Sequence, residues 1–202
     1  MIDTIIFDFG DVLINLNHQK SRNELQKIGL SITNQKVAHL NQQFELGNLT
    51  ETEFLLGLQQ ESSITNINQI KTAWQTIIGN FPQYRLDFLV QLSQKYKLCL
   101  LSNTDQIHIR YFEQKVGAAF AKIFYSCFSK VYFSFDLHLR KPDLRVYQKV
   151  LLDIDRNPNQ VLFVDDKSQN TQAATSLDIA VWNLQVGHDD VVDLLEKNIN
   201  LL

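Results

Sequence analysis

The 202-residue chain carries 19 Lys and Arg against 22 Asp and Glu, a net charge of -3, with 45% hydrophobic and 20% charged residues. Such a balance excludes a disordered chain and gives no electrostatic footprint for nucleic acid or an anionic membrane surface. Cys99 and Cys127 are too few for a disulfide framework, and no apolar run approaches the roughly 18 residues of a membrane helix, so a cytoplasmic globular protein is expected.

The first predicted element is a strand, Ile5 to Phe7, in "IIFDFGDVLI"; it runs into Asp8, and Gly10 and Asp11 break it. Residues 16 to 86 then show no strand signal. Helices are predicted over about 18–28, 34–46, 51–60 and 67–78. Thr50 and Glu53 have the spacing of a capping box at the start of the third, and Ile67, Ile70, Trp74, Ile77 and Ile78 form one stripe on the fourth.

A second apolar run, Leu98 to Leu101, ends at Ser102-Asn103, and "FYSCFSKVYFSF" reads as a buried strand with its approach. Lys141-Pro142 precedes a helical pattern, "PDLRVYQKVLLDI", in which Val146, Val150 and Ile154 recur every fourth residue. Pro142 suits the first turn of that helix and holds Lys141 extended ahead of it. The run Val161 to Val164 ends at Asp165-Asp166, and Ile179 to Trp182 is the last. None of the runs alternates, as expected of strands covered on both faces. The class is therefore α/β, a doubly wound parallel sheet formed by residues 1–15 and 87–202, with a four-helix insertion at 16–86.

Three apolar runs end in polar groups: Asp8, Ser102-Asn103 and Asp165-Asp166. In open parallel sheets ligands bind beyond the carboxyl ends of the strands, so these groups are expected to share one crevice. Any one of them alone would read as a helix cap; three together, one a double carboxylate, point to a site. Carboxylates crowded together repel unless a cation joins them, and oxygen ligands of this kind suit Mg²⁺ completed by water and a phosphate. An aspartate can act as nucleophile in phosphoryl transfer, which also requires a cation at the transferring group, and Lys141 is the candidate. The five histidines show no zinc spacing, and there is no G-x-S-x-G, Walker or dinucleotide motif.

In order along the chain, "FDFGDVL", "LLSNTD", "LRKPD" and "FVDDKSQN" resemble the haloacid dehalogenase superfamily of phosphohydrolases, and the insertion resembles that superfamily's helical cap. The resemblance implies a Mg²⁺-dependent phosphatase of small phosphorylated metabolites, with no nucleic-acid or membrane partner, acting as a monomer or weak dimer. It makes Asp8 the nucleophile, places Ser102 and Asn103 on the phosphoryl oxygens, and sets Lys141 between Asp8 and the phosphate. The metal falls to Asp8, the Gly10 carbonyl, Asp166 directly and Asp165 through water, with Asn170 orienting the loop.

Gly10 is the departure. Phosphatases of the superfamily mostly carry an aspartate there as general acid and base, help worth about 10²–10⁴ in rate. The α-D-glucose-1-phosphatase-like branch also shows D-x-G, and an anomeric leaving group needs the acid less, so a sugar 1-phosphate is one expected substrate. Asp11 is the nearby candidate acid; the divergence of adjacent side chains predicts instead that it points away and stabilises the following loop. The alternative to an enzyme is a binding or regulatory protein on the same fold.

Overall fold

The computed structural model describes residues 2–200. Five parallel strands, β1 (Thr4–Phe7), β2 (Lys97–Ser102), β3 (Lys130–Phe133), β4 (Val161–Asp165) and β5 (Ala180–Asn183), form one sheet in the order β3-β2-β1-β4-β5. Phe7 is level with Leu100 on one side and Val164 on the other. Asp8, the next residue, donates its N–H to the Val164 carbonyl at 2.8 Å. The ends of β1, β2 and β4 therefore sit side by side along the carboxyl edge of the sheet, at the centre of a doubly wound topology.

Between β1 and β2 the chain forms α1 (His18–Lys27), α2 (Gln35–Glu45), α3 (Glu51–Glu61), α4 (Ile67–Gln75) and α5 (Gln83–Leu92). Then follow α6 (Gln106–Val116), α7 (Ala118–Ser126), α8 (Ser134–Leu137), α9 (Leu144–Ile154), α10 (Ser168–Thr175) and a short α11 (Leu194–Lys197). Neighbouring residues of one strand enter different cores. Ile5, Phe7, Leu98, Leu100, Leu162 and Val164 pack with Leu86, Leu89, Phe112 and Phe124 of α5, α6 and α7. Ile6, Cys99, Leu101 and Phe163 pack with Val146, Val150 and Ile154 of α9. Both faces of the central strands β1, β2 and β4 are buried, which is why they read as continuous apolar runs, while the edge strands β3 and β5 are only partly covered.

Helices α1 to α4 enclose a third core of Leu25, Val37, Phe44, Phe54, Leu58, Ile70 and Trp74, which Ile107 of α6 joins. The predicted capping box is present, Thr50 Oγ1 accepting from the Glu53 N–H while Glu53 accepts from the Thr50 N–H. Two predicted helices are shorter than expected. The stripe assigned to 67–78 divides at Gln75: Ile70 and Trp74 stay in the insertion's core, while Ile78 turns into the sheet's core. The chain unwinds there to rejoin the segment that leads into the insertion, Asn15 to Asn17. Asn17 donates to the Ile77 carbonyl, Gly79 to Asn15 and Asn15 to Asn80. A Cβ on Gly79 would stand 2.1 Å from the Asn15 carbonyl oxygen, so the crossing requires glycine. Helix α9 begins at Leu144 and not at Pro142, because the Asp143 side chain caps it by accepting from the Arg145 N–H. Pro142 lies before the cap, joined to Lys141 by a cis peptide bond.

Candidate active site

Lys141 is the centre of the site. Its ammonium, 1% exposed, lies 2.7 Å from Asp8 Oδ1 and 2.7 Å from Asp165 Oδ2, and it stands over the Phe163 ring at 5.3 Å. Burial works against its charge, but Asp8 and Asp165 together hold its pKa above that of an ordinary lysine. Burial pushes Asp8 up to about 6; the Lys141 ammonium opposes the rise and the Asp165 charge adds to it. Three groups far apart in sequence thus make one buried carboxylate–ammonium–carboxylate array, which persists because each charge has a partner.

Asp165 is fully engaged. Its Oδ1 accepts from the Lys167 N–H at 2.8 Å and from Asn170 Nδ2 at 3.0 Å, and its Oδ2 accepts from Lys141 and again from Asn170. Asp166 is the reverse: its Oδ1 is buried and has no hydrogen-bond partner, as is Asn170 Oδ1. Burial raises the Asp166 pKa, with Lys167 opposing and Asp165 and Asp11 adding to the rise. Carboxylate oxygens of Asp8, Asp165 and Asp166 all lie within 4.8 Å of one another. A crevice walled by crowded carboxylates, with two orphaned buried acceptors and no donor to satisfy them, fits a small hard cation with its waters.

Ser102 ends β2, buried, and lines a larger cavity that adjoins the crevice. Asn103 does something the sequence did not indicate: its Nδ2 donates to the Lys141 carbonyl at 2.8 Å and its Oδ1 accepts from the Lys141 N–H at 2.9 Å. It pins the lysine's backbone, and the second amide hydrogen remains for a ligand. Gly10 follows the nucleophile candidate on a tight turn in which Asp11 donates to the Ile14 carbonyl. Asp11 has a left-handed backbone (φ 58); one side-chain oxygen accepts from the Leu16 N–H at 3.0 Å and the other is 2.5 Å from His18 Nε2.

The crevice, walled by Asp8, Gly10, Asp11, Asn103, Lys141, Asp166, Lys167 and Asn170, opens beside a larger cavity of about 300 Å³. The two share Gly10, Leu16, Asn103 and Lys167. The larger one extends beneath the helical insertion, whose His18, Arg22, Asn41, Glu45 and Trp74 line it. None of these five was legible as a site residue; only folding the insertion over the sheet edge brings them there.

One buried cluster joins the insertion to the core. Asp105 Oδ2 accepts from Trp74 Nε1 at 2.9 Å and lies 2.9 Å from His108 Nδ1, while His108 Nε2 faces the Trp74 carbonyl oxygen at 3.1 Å. Both ring nitrogens therefore face acceptors, which calls for an imidazolium. Burial opposes that charge on His108, but the Asp105 carboxylate outweighs it and raises the pKa. Burial likewise opposes ionisation of Asp105, and His108 overcomes it, lowering the pKa. The pair's stabilisation is then complete between the ordinary carboxylate and histidine values, about pH 4 to 6.5. It fades as pH falls through the lowered value of Asp105 or rises through the raised value of His108. His108→Ala should cost about 3 kcal/mol at pH 6, a fall of about 6–12 °C in Tm for a chain of this size. The gap from wild type should narrow as pH rises above the ordinary histidine value; a gap independent of pH in thermal melts would show that His108 is neutral.

The fold and site define an α/β protein whose carboxyl-edge crevice is built around a buried aspartate, a lysine and a cation-ready carboxylate pair. The family model for the haloacid dehalogenase-like hydrolases matches residues 2–178, and the chain belongs to that family. It is 26% identical over 94% of its length, and 95% of the relative's, to a D-ribitol-5-phosphate phosphatase of Bacteroides thetaiotaomicron. Among solved structures, it is similar to a haloacid dehalogenase family enzyme of the same species in complex with magnesium and inorganic phosphate, with TM-score 0.84, 29% identity and 94% and 97% of the two chains covered. A predicted hydrolase of this family from Porphyromonas gingivalis superposes with TM-score 0.84 at 25% identity, covering 98% of each chain. No helix among the described residues is long and apolar enough to cross a membrane.

Proposed function

We propose that the chain is a Mg²⁺-dependent phosphomonoester hydrolase that takes the phosphoryl group of a small phosphorylated polyol or sugar onto Asp8. The observation that carries the reading is Lys141, buried and 2.7 Å from both Asp8 and Asp165 beside the unpartnered Asp166 Oδ1. Asp8 attacks phosphorus, Lys141 balances charge between it and the equatorial oxygens, and Ser102 with the free amide hydrogen of Asn103 binds those oxygens. Asp8, Asp166 and the Gly10 carbonyl would hold the Mg²⁺, with Asp165 supporting from behind. The metal supplies neutralisation of the charge that gathers on the phosphoryl group. The complex of the similar enzyme with magnesium and inorganic phosphate supports this assignment.

Helices α1 to α4 act as the cap that encloses the substrate's organic part. The cavity of about 300 Å³ beneath them mixes Leu16, Leu25 and Trp74 with Arg22, Asn41 and Glu45, a lining suited to a short polyhydroxyl chain. The D-ribitol-5-phosphate phosphatase relative favours a pentitol or pentose 5-phosphate, ahead of the sugar 1-phosphate suggested by D-x-G. The test is phosphate release from a panel of both classes with Mg²⁺. Release from the pentitol phosphates is expected, and no release from any of the panel would favour a binding role.

Millimolar Mg²⁺ should also raise the melting temperature. At a hundredfold excess over Kd the gain is about 2.7 kcal/mol, or about 5–10 °C for a chain of this size. Asp166→Ala should abolish it. An unchanged shift in that variant would remove Asp166 from the metal site.

A further inference from the structure

Hydrolysis of a sugar-alcohol phosphate expels a primary alkoxide, a poor leaving group that needs a proton as the bond to phosphorus breaks. Position 10 cannot supply one. Leu16 occupies the space a side chain there would enter, its Cδ1 2.9 Å from where a Gly10 Cβ would stand. The proton must come from elsewhere on the cavity wall.

The ionisable groups lining the larger cavity are His18, Arg22, Glu45, His108 and Lys167. Guanidinium and ammonium groups hold their protons too firmly for acid-base exchange near neutrality, which sets Arg22 and Lys167 aside. Glu45 is committed to an ion pair, with Arg140 2.9 Å from its Oε2 and Asn41 Nδ2 3.2 Å from its Oε1, although that Oε2 makes no hydrogen bond. Both nitrogens of His108 are engaged in the Asp105–Trp74 cluster. His18 is the group that remains, an imidazole with one nitrogen held and the other free. Its Nε2 is 2.5 Å from Asp11 Oδ2, and its Nδ1 makes no hydrogen bond among the described residues.

Asp11 is built to hold that ring. Its φ of 58 is unusual for any residue but glycine, though aspartate tolerates it. Its second oxygen is fixed by the Leu16 N–H at 3.0 Å, so the carboxylate is anchored at one end and presented to His18 at the other. A carboxylate orienting one imidazole nitrogen while the other faces the substrate is a recurring acid-base arrangement. His18 is the first residue of α1, on the wall that also carries Gly10, Leu16, Ser102 and Asn103.

We propose that the Asp11-held His18 is the general acid and base that replaces the missing side chain at position 10, an inference that rests on the phosphatase reading above. As Asp8 bonds to phosphorus, the phosphorus–ester oxygen bond breaks, and that oxygen takes its electron pair and a proton from His18 Nδ1. The neutral imidazole then takes a proton from water as the water oxygen attacks phosphorus. The bond from phosphorus to Asp8 breaks, phosphate leaves, and the Asp8 carboxylate and the His18 imidazolium are restored. Asp11 is a positioning residue in this scheme.

The experiment compares kcat/KM on a primary alkyl phosphate and on p-nitrophenyl phosphate, whose phenolate departs without help, for wild type, His18→Ala, His18→Gln, Asp11→Asn and Asp8→Asn. Both His18 variants should lose about 10²-fold or more on the alkyl ester and less than tenfold on the aryl ester. They should also lose the basic limb of the alkyl pH profile, and Asp11→Asn should shift that limb. His18 is half exposed, so unchanged melting curves are expected to exclude misfolding. Equal losses on the two esters, or an intact basic limb, would overturn the proposal and leave His18 as a wall of the cavity. Turnover that survives Asp8→Asn would instead overturn the phosphatase reading, and the proposal with it.

Discussion

Replacing Lys141 by alanine should destabilise the protein by about 3–5 kcal/mol at pH 8, the usual consequence of stripping one partner from a buried ionic array. The array makes the loss asymmetric. Lys141 reaches Asp8 and Asp165 at 2.7 Å each, so alanine would leave two buried carboxylates facing one another across the vacated space. Asn170 and the Lys167 N–H still satisfy Asp165. Asp8, whose pKa burial already lifts to about 6, would move further up and become neutral.

That relaxation gives the prediction its pH signature. A carboxyl whose folded pKa exceeds its unfolded one favours the folded state while protonated, and that help is lost as pH rises from the unfolded value through the folded one. The deficit of Lys141→Ala relative to wild type should therefore be smaller at pH 5 than at pH 8. Mg²⁺ should recover part of it, since a second cation can take up the Asp8 charge. Chemical denaturation at the two pH values, with and without Mg²⁺, measures all of this. A deficit below 1 kcal/mol at pH 8 would mean that the buried charges are not what holds the sheet edge together.

How far such a site is legible in sequence depends on where its chemistry resides. Asp8, Ser102 and Asp165 were legible because each ends an apolar run, and a strand's end is a local property. Lys141 was legible through its neighbours and the resemblance, but its simultaneous contact with residues 8 and 165 was not, since nothing local links positions so distant. By sequence Asn103 is expected on the phosphoryl oxygens, yet both its strong hydrogen bonds hold the Lys141 backbone. The cavity was out of reach. Helical periodicity reports which face of α1 or α4 is buried, not which cavity the remaining side chains line. His18 and His108 lie in no metal spacing, and only the folded chain shows that one has both nitrogens engaged while the other keeps one free. The same limit explains the early end of α4: Ile77 and Ile78 continue the helical stripe, but the hydrogen bonds to Asn15 and Asn17 that draw the chain off its axis come from sixty residues earlier.

Asp8→Asn is the substitution that most sharply separates chemistry from structure. An amide of the same shape cannot attack phosphorus, and single removal of a covalent nucleophile elsewhere costs on the order of 10⁴–10⁶-fold in kcat, about 5–8 kcal/mol of transition-state stabilisation. The fold should not suffer. The substitution removes one of three crowded carboxylates and with it the repulsion that, after burial, helps raise the Asp8 pKa. Lys141 keeps Asp165 as its ionic partner at 2.7 Å, and the amide oxygen can still accept from the ammonium. Without Mg²⁺ the variant should therefore melt at or slightly above the wild-type temperature. With Mg²⁺ the order should reverse, because a ligand to the metal has been lost and the gain of about 2.7 kcal/mol expected at a hundredfold excess over Kd shrinks with affinity. Phosphate-release kinetics paired with melting curves at several Mg²⁺ concentrations check both halves. Near-complete loss of turnover together with that crossover in stability is the result expected of a nucleophile that also binds the cation. A variant that stays active would place the nucleophile elsewhere, and one that is inactive but strongly destabilised without Mg²⁺ would make Asp8 a structural partner of Lys141.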